Sequence, residues 1–75
     1  MKAYRDLNND SGISSYEVSD DSITVRFKTG SVYLYTYLST GAVQIEEMKR
    51  LAESGDGLNS YISKNIRKNY AKKLV

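Results

Sequence analysis

The chain has no cysteine, histidine, proline or tryptophan. Without cysteine there is neither a disulfide framework nor a thiolate metal site. Without histidine, general acid–base chemistry near neutral pH would need a shifted carboxylate or lysine, and the serines have no imidazole to activate them. The acidic pairs are poorly placed: Asp20-Asp21 sits in a turn, and Glu46-Glu47 points about 100° apart around a helix. No Asp-x-Asp-x-Asp loop occurs, and Gly55-Asp56-Gly57 is too short for a phosphate-binding loop. The expectation is therefore a protein with no catalytic residues, no metal and no cofactor. No apolar run is long enough to cross a bilayer and no signal-peptide pattern opens the chain, so no membrane partner and a cytoplasmic location are expected.

What is present is tyrosine and an uneven distribution of charge. Seven of the eight aromatic residues are tyrosine, and the net charge is +2 in 75 residues. Residues 1–60 carry all nine acids against six Lys or Arg. Residues 61–75 carry Lys64, Arg67, Lys68, Lys72 and Lys73 with no acid. A chain of this length makes one small domain that buries only about 60% of its surface on folding. A dimer that completes the core is consistent with that size.

Residues 1–10 show no sustained period and read as a poorly ordered lead-in to a domain spanning 11–75. Ile13 to Val18 alternates as a half-buried strand, with Tyr16 and Val18 on one side. After a turn at Ser19–Ser22, Ile23, Val25 and Phe27 alternate with Thr24, Arg26 and Lys28. The next turn sets the register. A two-residue loop would need φ > 0 at β-branched Thr29, which resists it. A three-residue loop, Lys28-Thr29-Gly30, gives the left-handed position to Gly30 and pairs Val25 with Tyr33 and Ile23 with Tyr35. The tyrosines then share the inner face, and Val32 and Leu34 point to the other.

Two helices are expected after the sheet. Ser39 or Thr40 can cap the first, which runs to about Ser54 with Ile45, Met48, Leu51 and Ala52 inward. The second carries the stripe Leu58, Tyr61, Ile62, Asn65, Ile66 and then Asn69 or Tyr70. Its outer face would hold the five cations. The fold class is α+β: a small antiparallel meander of about three strands, followed by two helices packed on one face.

Ser11-Gly12-Ile13, Phe27-Lys28-Thr29-Gly30, Tyr33-x-Tyr35, Asn65-Ile66-Arg67 and Tyr70 occur in an order that resembles the KTSC domain. This small module is found at the C-terminus of some lysyl-tRNA synthetases and as free-standing bacterial proteins. The resemblance implies the α+β fold and a link to RNA. It marks Tyr33, Tyr35, Asn65 and Ile66 as the family motif, in structural roles.

Two functional classes follow. In one, Lys64, Arg67, Lys68, Lys72 and Lys73 track the phosphates of RNA or another nucleic acid, with Tyr37 as the exposed ring at the sheet's end. In the other, Val32 and Leu34 on the open sheet face bind a protein or a second copy of the chain. Against both stand plain roles: tyrosines that fill the core, and lysines that solubilise a helix.

Overall fold

A computed structural model describes residues 1–7 and 11–75. The chain forms a five-stranded antiparallel sheet in the sequential order β1 (Lys2–Ala3), β2 (Ile13–Ser19), β3 (Ser22–Phe27), β4 (Val32–Thr36) and β5 (Lys72–Lys73). The helical segments α1 (Tyr37–Thr40), α2 (Ala42–Ser54) and α3 (Leu58–Tyr61) lie between β4 and β5. A wider, π-helical turn, Ile62–Ile66, continues α3. The class is α+β, as expected, with two more strands than the three expected.

The β3–β4 turn is the three-residue loop. Phe27 N–H donates to Ser31 C=O (2.8 Å), Gly30 N–H donates to Phe27 C=O (2.9 Å), and Gly30 takes φ 96°. Val25 consequently pairs with Tyr33 and Ile23 with Tyr35. Their inner face joins Ile45, Met48 and Ala52 of α2, Leu58 of α3, and Ile62 and Ile66 of the widened turn in one buried cluster. In β2, a bulge between Ile13 and Ser15 brings Ile13 and Tyr16, three residues apart, onto that same face.

Several expectations are corrected. The lead-in is not loose where it is described. Lys2–Ala3 pairs with Ser15–Tyr16, Tyr4 is buried, and its hydroxyl accepts the N–H of Leu58 at 3.2 Å. Leu7 N–H reaches Gly55 C=O at 2.8 Å. That approach leaves no room for a side chain at Gly55, where a Cβ would stand 2.6 Å from the Cβ of Arg5. Residues 8–10 of the lead-in lie outside the described residues.

The first helix is divided. Thr36 caps α1 in a reciprocal box with Ser39: each side-chain oxygen accepts the other's backbone N–H at 3.1 Å. Gly41 then separates α1 from α2.

The second helix stops at Ile66, before four of the five cations. Arg67 takes φ 51°, and its N–H closes on Ile62 C=O at 2.6 Å, five residues back. The wider turn buries Ile62 and Ile66 but leaves Asn65 exposed, although the helical period had placed Asn65 on the inner stripe. Asn69 is exposed too, and Tyr70 is half-buried beyond the helix.

Candidate nucleic-acid interface

The five cations sit on an irregular segment that leaves the helix and ends as an edge strand. Lys64 lies in the widened turn, Arg67 and Lys68 in the bend after it, and Lys72 and Lys73 in β5. The segment is held by its backbone. Ala71 N–H donates to Leu34 C=O and Leu74 N–H to Val32 C=O, both at 2.7 Å. Thr40 Oγ1 donates to Asn69 C=O at 2.7 Å.

These cations do not share one face of a helix. Lys73 is opposite Tyr33, on the helix-covered side of the sheet, and Lys72 is opposite Leu34, on the other. The charges therefore straddle the sheet edge. All five are exposed, and among the described residues none makes an ion pair. Of the six other bases, three are matched: Lys28 with Asp6 (3.0 Å), Lys49 with Glu46 (2.9 Å), and Arg50 Nε with Glu47 Oε1 (2.9 Å). Lys2, Arg5 and Arg26 are exposed and make no ion pair among the described residues. The arginine beside Glu47 holds that carboxyl below its usual range.

Beside the basic segment lies a ring cluster. Tyr33 meets Phe27 edge-on at 5.7 Å between centroids, and Tyr70 at 4.7 Å with a 49° tilt. Tyr35 is fully buried beneath, 6.4 Å from Tyr70 and edge-on to it. Burial, reinforced by Tyr33 and Tyr70, pushes its hydroxyl pKa up to about 12. Lys73 Nζ stands 5.9 Å from the centre of the Tyr33 ring, within range of a cation–π contact. Phe27, Tyr33 and Tyr70 are only half-buried.

Tyr37 is exposed but belongs to another neighbourhood. Its hydroxyl donates to Glu46 Oε2 at 2.6 Å, which raises its pKa, and Asp20 and Asp21 add to that shift. The same hydrogen bond, with Lys49, lowers the pKa of Glu46. Lys49 Nζ stands 5.7 Å from the centre of the Tyr37 ring, so the charged groups around Tyr37 are Glu46, Lys49, Asp20 and Asp21.

The open sheet face also differs from expectation. Val32 is 2% exposed and Leu34 half-buried; β5 continues the sheet beyond β4, and its flanking residues bond to the backbone of Val32 and Leu34. The large apolar side chains left most open are elsewhere: Leu38 is fully exposed and Val43 is 80% exposed.

The motif residues divide: Tyr35 and Ile66 are core, Tyr33 is at its rim, and Asn65 faces solvent. Phe27 and Tyr70 were missed as ring partners of Tyr33. For Phe27 the signal was its place on the same face as Val25. For Tyr70 the signal was its alternative place at the end of the inner stripe, although the bend at Arg67 that carries it to Tyr33 could not be read.

Among the described residues, no group of three or more His, Cys, Asp or Glu side chains could hold a metal ion. No described helix is long and apolar enough to cross a membrane. Compared with models of known protein families, with curated proteins and with solved structures, the chain matches none.

Proposed function

We propose that the chain is a KTSC-like, non-catalytic module that binds single-stranded nucleic acid, RNA in the first instance, along the segment from Lys64 to Lys73. The observation that carries this reading is five exposed cations in ten residues, unmatched by any carboxylate among the described residues. Unpaired lysine and arginine are ready to replace the counterions of a phosphate chain, and the release of those counterions supplies the free energy.

The test is a titration against a single-stranded RNA at several salt concentrations. Each phosphate neutralised adds roughly −0.7 to the slope of log K against log salt, so five contacts set a limit of about −3.5. Changing Lys64, Lys68 and Lys72 together to Gln should weaken binding and flatten the slope by up to about 2. The urea midpoint should stay in place, since all three side chains are exposed. RNA binding that is absent at low salt, or indifferent to the triple change, defeats the proposal.

A second reading is a protein partner, favoured by one observation: Leu38 and Val43 lie open to solvent on either side of Gly41. It predicts that Leu38→Lys abolishes association while the triple Gln change leaves it intact.

A further inference from the structure

Phosphate contacts alone would let the module hold any polyanion, and the lysines carry no means of telling a nucleic acid from another phosphate chain. The rings beside them do. Phe27, Tyr33 and Tyr70 touch one another in series, with centroids 5.7 Å and 4.7 Å apart. Each keeps part of its surface in contact with solvent, whereas Tyr35 beneath them is sealed. All three pack against the buried core and stay partly open at its rim. Tyr70 is also carried by the basic segment itself, between Lys68 and Lys72. Lys73 holds its ammonium 5.9 Å from the Tyr33 ring. Cations along a backbone with aromatic faces at their side are the two components of single-strand recognition, and stacking accepts any base because every base has a π-face.

Accepting the reading above that the cations hold a nucleic-acid strand, we infer that Phe27, Tyr33 and Tyr70 form a stacking site for its bases. The ligand is then an unpaired strand, since a base inside a duplex cannot present its face. Tyr33, between the other two rings and beside Lys73, is the centre of the site. Tyr70 is its outer wall.

The experiment compares three ligands at one low salt concentration: a single-stranded oligouridylate, an abasic oligonucleotide with the same number of phosphates, and inorganic polyphosphate. The oligouridylate should bind about 5-fold or more tighter than the abasic strand, the lower end of the effect of stacking one base. Tyr70→Leu should remove that advantage and leave the abasic affinity unchanged, and Tyr70→Phe, which keeps the ring, should retain it. The comparison of ligands on the unaltered protein decides the matter even if Tyr70→Leu is unstable. Equal affinity for the oligouridylate and the abasic strand overturns the stacking site and leaves the phosphate reading standing. If none of the three ligands binds, both readings fall.

Discussion

Replacing Ile66 with alanine tests how the chain is held where it leaves its last helix. Ile66 is 1% exposed and lies in the widened turn, within the cluster formed by the inner sheet face, α2 and α3. Alanine removes three carbons, which forfeits roughly 2.4 kcal/mol at about 0.8 kcal/mol for each buried CH2. The cavity that remains brings the expected loss to about 2–5 kcal/mol. A domain of 75 residues has only about 4–11 kcal/mol in total. With a urea dependence of about 1 kcal/mol per molar, the low end for small proteins, the midpoint should fall by about 2 M or more. The neighbouring change Asn65→Ala supplies the contrast. An ordinary helix continued through this segment would put Asn65 on the inner stripe, but the widened turn leaves it exposed. Its substitution should stay within about 0.5 kcal/mol. If both variants lose stability to the same degree, or if Ile66→Ala shifts the midpoint by less than about 0.5 M, the turn is not docked as described.

Two further predictions concern backbone strain and pH. Arg67 combines φ 51° with ψ −114°, outside the regions that side chains of L-residues favour, a conformation that costs about 1–3 kcal/mol. Arg67→Gly should therefore raise the urea midpoint despite the entropy that glycine adds to the unfolded chain, and a lower midpoint would count against the strain. Tyr35 ionises in the folded protein at about 12, against an ordinary value of 10.0, chiefly because burial disfavours the phenolate. Its contribution to stability is whole below pH 10 and disappears as the pH rises through 12. An absorbance titration should show at least one of the seven tyrosines, Tyr35, ionising late together with loss of structure. Complete ionisation near pH 10 with the fold intact would contradict that.

The register of the sheet was legible because one residue decided it. A β-branched threonine in the β3–β4 turn excluded the tight loop, and every inward assignment in β3 and β4 followed from that. The stripe of α2 was legible for a similar reason: Ile45, Met48 and Ala52 recur at steps of three and four. What could not be read was whatever depends on contacts distant in sequence. β1 and β5 are two residues each, too short to show a period, and their pairing comes from the rest of the fold. Tyr4 is buried against a helix start 54 residues later. The end of the helix at Ile66 was hidden as well. Helices commonly end at glycine because it tolerates positive φ, and here arginine takes that conformation with no glycine or proline to announce it. This one unmarked bend turns an apparent basic helix into a bend and an edge strand, and so changes the shape of the candidate site.

The new shape also changes what the lysines have to explain. Lys72 and Lys73 lie on an exposed edge, where charge prevents the sheet from pairing with another chain. Lys64 lies in the last helical turn and Arg67 and Lys68 just beyond it, where positive charge is favoured by the dipole at about 0.3–1 kcal/mol each. Each local cause accounts for part of the segment, but neither accounts for its uniform sign. A glutamate on β5 would also blunt the edge. The dipole's influence fades within the last turn and does not reach β5. The sixty residues that precede the last fifteen hold every acid in the chain and are net negative. Two unrelated constraints thus met the same way, with positive charge, over ten consecutive residues beside three half-open rings. The proposed ligand, itself a chain of negative charges, would be a single cause acting on both.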